Sequence, residues 1–260
     1  MDAAVSSGAG GPGGGVAITV LGNSGSYAGP GTACSGYLLR SQGFTLWLDA
    51  GPGTLANLQT HVRLADVDAV VVSHSHPDHW SDLEGFFIAC RWIEPRSHVP
   101  IYAPAELPQM MRSGPDVNST FDWHQIADQG SATLGPFRLR FARTDHPPET
   151  LAVRIDTTGA DGDPVAFGYT ADTGPAWSLD ALGTGLDLVI CEATFLQQHE
   201  GTSPHLSARQ AGRLARDAGV RRLLITHIWP IVDRAQSAAE AAAAFGGPVE
   251  CCEMHASYCL

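Results

Sequence analysis

Apolar residues in this chain fall in short runs broken by Gly, Pro, Asp and Ser, a pattern that predicts many short strands and few helices. The runs predict strands at Val16–Leu21, Gly36–Arg40, Thr45–Asp49, Ala69–Ser73, Phe137–Ala142, Leu151–Ile155, Val165–Tyr169, Leu186–Cys191 and Leu223–Thr226. Three stretches carry a helical period instead. Ser81 with Glu84 three residues on has the form of a capping box, and Leu83, Phe86, Phe87, Cys90 and Ile93 follow on one face. Ser207 with Gln210 repeats the device ahead of Ala211, Leu214 and Ala218, and the Ala-rich run Ala235–Phe245 reads as a third helix. Strands interleaved with helices predict an α/β layered fold.

Residues 16–260 are expected to form one domain. The Gly-rich segment 1–15 reads as a flexible tail, because it has neither the basic start nor the apolar stretch of an export leader. Of the 260 residues, 44% are apolar, enough for a substantial core, and no run is long enough for a membrane span. Six cysteines in no framework pattern predict free thiols and a cytoplasmic setting. Cys252, His255 and Cys259 offer only a weak second metal signal.

Charge narrows the partners. The net charge is −12, and all 15 basic residues are Arg. A protein that grips a long polyanion gains much of its affinity from a positive surface that releases counterions. The field here opposes that, so nucleic acid is a less favoured partner than a small molecule.

Several predicted strands end in chemically capable residues: Asp49, His74, Asp172 just past Tyr169, Glu192 and His227. Strand ends and the loops beyond them are where sheet-based sites are built. The densest case is Ser73-His74-Ser75-His76-Pro77-Asp78-His79, directly after the apolar run Val70–Val72. On an extended backbone, positions two apart project to the same side, so His74 and His76 share a face. Pro77 then turns the chain, and Asp78 and His79 address the same pocket. Imidazole and carboxylate donors clustered in this way suit borderline-soft divalent ions.

His74-x-His76-x-Asp78-His79 resembles the metal signature of the metallo-β-lactamase superfamily, whose fold is an αββα sandwich with its site at one sheet edge. Four further segments resemble that family in the same order: Leu48-Asp49-Ala50-Gly51-Pro52-Gly53-Thr54, Asp145-His146, Gly168-Tyr169-Thr170-Ala171-Asp172-Thr173-Gly174 and Leu224-Ile225-Thr226-His227. The resemblance implies two divalent ions, Zn²⁺ in the first place, with Mn²⁺ or Fe²⁺ open to the same donors. One ion takes His74, His76 and His146, the other Asp78, His79 and His227; Asp172 bridges them and Asp49 orients the ligands. Two ions so placed can activate water and polarise a substrate.

Within the superfamily, Cys191-Glu192-Ala193-Thr194-Phe195 and Pro204-His205-Leu206-Ser207-Ala208 resemble the branch that includes the tRNA-processing ribonuclease RNase Z. In that branch a His facing the phosphate is partnered by a Glu, which implies catalytic roles for His205 and Glu192 beside Asp78. The loop Leu21-Gly22-Asn23-Ser24-Gly25-Ser26 offers Asn23 and Ser24, with His205, as substrate contacts. RNase Z carries a basic arm between the third His and the bridging Asp, and too few residues lie between His146 and Asp172 for one. Ile18-Thr19-Val20-Leu21-Gly22-Asn23-Ser24-Gly25-Ser26 and Ser35-Gly36-Tyr37-Leu38-Leu39-Arg40 are more similar to armless bacterial cyclic-nucleotide phosphodiesterases of actinobacterial type. The expectation is therefore a binuclear hydrolase of small phosphodiesters, cAMP foremost. An RNase Z-like endonuclease and an ester, thioester or lactone hydrolase are the alternatives. A non-enzymatic scaffold is disfavoured because every ligand position is filled, and an oxidoreductase of this fold because His76 is intact. Dimers recur in this branch, so the resemblance leaves a homodimer open without fixing the oligomeric state.

Overall fold

The computed structural model describes residues 15–112 and 117–260; all of the expected tail but Gly15 lies outside the described residues. In the N-terminal half the strands are β1 (Ala17–Gly22), β2 (Gly36–Ser41), β3 (Phe44–Leu48), β4 (Ala69–Val71), β5 (Val99–Ala103) and β6 (Phe121–Gln125). The remainder are β7 (Ser131–Leu134), β8 (Phe137–Arg143), β9 (Leu151–Thr158), β10 (Pro164–Tyr169), β11 (Leu188–Glu192), β12 (Arg222–Thr226), β13 (Val249–Cys251) and β14 (Ser257–Cys259). The α-helices are α1 (Thr54–Leu58), α2 (Pro77–Trp80), α3 (Asp82–Ile88), α4 (Leu107–Met110), α5 (Val117–Thr120), α6 (Ala208–Asp217) and α7 (Arg234–Phe245).

The strands form two seven-stranded sheets, ordered β14-β1-β2-β3-β4-β5-β6 and β13-β12-β11-β10-β9-β8-β7. Alternation along each strand sorts side chains to two faces. Leu39, Leu46 and Val71 of the first sheet meet Phe141, Val153 and Phe167 of the second in the central core. Leu38, Trp47 and Val70 face the other way, onto Leu83, Phe86 and Phe87 of α3. Val189 and Ile225 face α6 and α7 through Ala208, Ala211, Ala215 and Ala241. The result is the expected αββα sandwich.

All nine strands read from the sequence are present, with ends shifted by a few residues. Four of the five unread ones, β6, β7, β13 and β14, are the outer strands of the two sheets. An outer strand buries less, and these four have mostly half-buried or exposed positions, whereas inner strands such as β1, β4 and β11 are buried throughout. The fifth, β5, contains Pro100, a residue that argues against a strand when read locally. The C-terminal residues, which fit no pattern in the sequence, cross from the second sheet to the first: β13 pairs with β12, and β14 with β1.

The two expected capping boxes fare differently. Ser207 accepts from the Gln210 N–H, and the Gln210 side chain accepts from the Ser207 N–H. Ser81 is no cap: its backbone is already helical and its hydroxyl donates to the Pro77 carbonyl at 2.7 Å. Pro77 occupies the first helical turn, with His76 extended before it, so the helix opens one turn earlier than Ser81. Among the described residues no helix is long and apolar enough to cross a membrane.

Replacing the cap at α6 is expected to cost about 1 kcal/mol. Ser207→Ala should lower the free energy of unfolding by that amount in denaturant titrations. An unchanged midpoint and slope would show that the hydroxyl contributes nothing.

Candidate metal centre

Parallel strands end on the same side, so β3 and β4 in one sheet and β10, β11 and β12 in the other deliver their C-terminal residues to one edge of the sandwich. Asp49 follows β3, His74 lies past β4, Asp172 past β10, Glu192 closes β11 and His227 follows β12. Three residues at these ends hold left-handed backbones without being glycine: Asp49 (φ 57), Ala171 (φ 50) and His227 (φ 54). Such geometry costs about 1 kcal/mol or more each and concentrates at functional sites. His146 comes from the loop between β8 and β9, where the Thr144 hydroxyl donates to the Asp172 carbonyl at 2.7 Å and the Leu151 N–H to the Ser73 carbonyl at 3.1 Å.

These elements bring all seven expected ligands together as two adjoining sets of donors. In the first set, His76 Nδ1 lies 3.2 Å from both His74 Nε2 and His146 Nε2. Asp172 Oδ2 is 3.5 Å from His74 Nε2 and 3.8 Å from His146 Nε2. In the second, Asp78 Oδ2 is 3.2 Å from His227 Nε2 and 3.5 Å from His79 Nε2. Asp172 Oδ1 is 3.4 Å from each of those nitrogens. The two oxygens of Asp172 thus face one set each. Four donors about 2.0–2.1 Å from a tetrahedral ion stand about 3.3 Å from one another, and the observed separations lie around that value. His79 Nε2 and Asp172 Oδ1 are buried without a hydrogen-bond partner, a costly arrangement unless a cation satisfies them.

Hydrogen bonds behind the ligands fix which nitrogen faces inward. His79 Nδ1 donates to Asp49 Oδ2 at 2.7 Å, and His146 Nδ1 to the Pro204 carbonyl at 3.0 Å. The Ser73 hydroxyl gives its proton to Asp49 and so accepts from His74 Nδ1 at 3.0 Å. The Thr194 hydroxyl gives its proton to Glu192 and accepts from His227 Nδ1 at 2.9 Å. Each of these four rings keeps its Nε2 lone pair for the centre, the device that orients imidazole ligands in metal sites. Asp49 is fully buried and also accepts from the Ser73 N–H and the Tyr169 hydroxyl, both at 2.7 Å.

The electrostatics follow from burial and from close opposite charges. Burial, aided by the neighbouring His79, pushes His74 down to about 4, and burial with His146 lowers His76, so both stay neutral with lone pairs free. Burial opposes charge on Asp172 too, but the close imidazoles of His227, His79 and His74 hold its carboxyl well below the usual range. At His79 burial is outweighed by Asp172, Asp78 and Asp49, which favour positive charge at that ring; a bound cation would supply the charge in place of the Nε2 proton and leave that lone pair to act as a donor. The donors therefore carry the charge and lone pairs that a divalent cation takes.

Beside both sets stands His205, its ring centroid 4.8 Å from that of His146 and 5.3 Å from that of His227. Its Nδ1 bonds Glu192 Oε1 at 3.1 Å and lies 4.0 Å from Asp172 Oδ2. Burial works against protonation, but the Glu192 charge and hydrogen bond prevail and raise His205 to about 9. Glu192 is buried and also accepts from the Thr173 and Leu206 N–H groups and the Thr194 hydroxyl, so it ties three loops to one carboxylate.

Other expectations land elsewhere. Asn23 and Ser24 are buried, and the Asn23 amide donates to the Cys252 carbonyl. Ser26 is the residue of that loop that reaches the centre, through its N–H to Asp78 Oδ2 at 2.8 Å. Cys252 is buried while Cys259 is exposed, and neither belongs with His255 to a donor cluster among the described residues. Ser73, Tyr169 and Thr194 went unread because lone hydroxyls inside apolar strands carry no local signal. Gly51, by contrast, sits in the Asp49 loop for a steric reason: a Cβ there would fall 2.0 Å from the Asp78 carbonyl oxygen.

An αββα sandwich with two adjoining His/Asp sets at one edge defines a class, and residues 45–228 match the beta-lactamase superfamily domain. The chain belongs to that family and is a metal-dependent hydrolase. It is 39% identical over 249 residues to Rv1339, an uncharacterized protein of Mycobacterium tuberculosis, spanning 90% of this chain and 88% of the relative. It is 34% identical over 221 residues to YhfI of Bacillus subtilis, a probable metallo-hydrolase, spanning 81% and 86% of the two chains. The crystal structure of YhfI superposes with a TM-score of 0.83, covering 94% of this chain and 99% of that one. Ribonuclease Z of Streptomyces coelicolor is 29% identical over 244 residues, spanning 74% of this chain and 80% of the enzyme.

Asp49→Asn replaces an acceptor of four hydrogen bonds by a group that opposes some of its donors. Losing a partner of this kind costs about 10–100-fold in metal affinity. Competition with a chromophoric chelator should show that loss, and wild-type affinity in the variant would contradict the role given to Asp49.

Proposed function

We propose that this protein is a binuclear phosphodiesterase of small substrates, most favourably 3′,5′-cyclic nucleotides such as cAMP, which it opens to nucleoside monophosphates. The observation that carries the reading is His205, fixed by Glu192 against both donor sets. Two ions are assigned, one to His74, His76 and His146 and one to Asp78, His79 and His227, with Asp172 between. Zn²⁺ is the first candidate, and Mn²⁺ or Fe²⁺ are accepted by the same donors. When bound, such ions supply positive charge for the phosphate oxygens and lower the pKa of water into the neutral range.

The residues of the chain do the rest. Water attacks phosphorus and loses a proton to solvent as the new P–O bond forms, and the bond to the ribose oxygen breaks. That oxygen leaves as an alkoxide and needs a proton, whereas a thiolate leaving a thioester does not. With Nδ1 engaged by Glu192, His205 offers the proton on Nε2, and its positive charge also offsets charge building on the phosphorane oxygens. Glu192 and Thr194 couple this acid to His227, since the Glu192 carboxylate holds both His205 and the Thr194 hydroxyl that accepts from His227 Nδ1.

Substrate size follows from what surrounds the centre. β9 and β10 pair directly from Thr158 and Pro164, so the turn between them is residues 159–163. With no arm there and no Lys in the chain, a small cyclic diester is better matched than tRNA. The six free cysteines fit a reducing cytoplasm.

Asp78→Ala is expected to abolish metal-dependent turnover of an activated phosphodiester while the circular dichroism spectrum stays native; undiminished turnover would refute the assignment. His205→Ala should lower kcat about 10²-fold, the scale of one general acid, with metal content preserved. Assays of cAMP, a 3′-extended tRNA and an acyl thioester on metal-replete enzyme separate the substrate classes, and preference for either of the last two would overturn the proposal.

A further inference from the structure

The large apolar side chains left exposed among the described residues fall in two places. Ile88, Trp92, Ile93 and Met110 lie on and after α3 and on α4; Tyr27 (48% exposed) and Ile231 (81% exposed) lie on two loops that meet at the metal centre. These loops, after β1 and after β12, are knitted by the Gly25 N–H to the Ile228 carbonyl and the Ile228 N–H to the Asn23 carbonyl, both at 3.2 Å. They approach so closely that a Cβ on Gly25 would fall 2.7 Å from His227 Nδ1. Trp229 lies on the second of these loops, two residues before Ile231. Its Nε1 donates to the Ser26 hydroxyl at 3.1 Å, while the Ser26 N–H donates to Asp78 Oδ2. Two hydrogen-bonded steps therefore connect the indole to a metal-centre carboxylate. On its inner side the ring rests against the fully buried Phe195, with centroids 5.9 Å apart. The indole is half-buried, so part of it remains open to solvent.

An aromatic ring whose N–H is already engaged, backed by a second ring and set at the rim of a phosphate-handling centre, offers a flat apolar surface. Neither loop carries Lys or Arg in 22–32 or 226–232, so this rim does not grip a polyanion. A ligand that is an anionic diester at one end and a flat aromatic system at the other matches both surfaces. We infer that Trp229, on the same two loops as the exposed Tyr27 and Ile231, is the platform on which the nucleobase of a nucleoside 3′,5′-cyclic phosphate stacks while its phosphate occupies the centre. The inference rests on the phosphodiesterase reading and adds the residue that selects nucleotides among small diesters.

The test is steady-state kinetics of the metal-replete wild type, Trp229→Ala and Trp229→Phe on cAMP and on ribose 3′,5′-cyclic phosphate, which lacks the base. Loss of one base-stacking contact corresponds to about 10-fold or more in affinity. Trp229→Ala should raise KM for cAMP by at least that factor with kcat within about twofold, and Trp229→Phe should restore most of it. The base-free phosphate should show a high KM with the wild type and a much smaller response to the substitution. A metal content equal to the wild type's verifies that His227 is still in place. An active wild type whose KM for cAMP is unmoved in Trp229→Ala, or moves equally for both substrates, overturns the platform alone. A wild type that turns over neither cyclic phosphate overturns the phosphodiesterase reading and the platform with it.

Discussion

Everything at the site edge depends on Asp49 and Glu192, two buried carboxylates that each collect donors from several segments of chain. A buried charge without partners costs several kcal/mol, and these are fully partnered. Asp49 takes the Ser73 N–H and hydroxyl, His79 and the Tyr169 hydroxyl. It thereby joins β3, the His-rich segment and the second sheet. Glu192 takes Thr173, Thr194, Leu206 and His205, joining the Asp172 loop, the Thr194 hydroxyl behind His227, and His205. Their hydrogen bonds turn loosely related strand ends into a frame in which the ligands have one orientation each.

Within that frame the donors are deliberately under-satisfied. His79 Nε2 and Asp172 Oδ1 have no partner although both are buried, and the nitrogens of His74, His76 and His146 crowd one another. A fold optimised for stability alone would pair or separate them. The left-handed backbones at Asp49, Ala171 and His227 add to this cost. The surrounding sandwich, with its central core between two seven-stranded sheets, offsets both.

Much of this was legible in the residues alone. Inner strands announce themselves through continuous apolar runs, and His74, His76, Asp78, His79, Asp172 and His227 through their residue type at or just past strand ends, whereas His146, in the loop between β8 and β9, is marked only by the family resemblance. The outer strands were not legible, because a strand with one neighbour needs little apolar surface. Ser81 misled because a Pro at the start of a helix overrides a cap signal four residues later. Asn23 and Ser24 misled in another way: a polar, Gly-rich loop announces close backbone approach but does not say which residue faces the centre, and here it is Ser26. Thr194 and Tyr169 show the limit of local reading. Their roles exist only through partners far along the chain, His227 and Asp49.

The proposed function also requires that a chain with a strongly negative charge accept an anionic substrate. In the proposed reading, metal charge and the His205–Glu192 pair would be concentrated where the phosphate binds, and the rim would contribute aromatic surface in place of cations. The most direct test is anomalous diffraction from crystals of metal-replete protein. Two peaks are predicted, one among His74, His76 and His146 and one among Asp78, His79 and His227, with Asp172 between them; density at neither position, or a single ion bound elsewhere, would contradict the account.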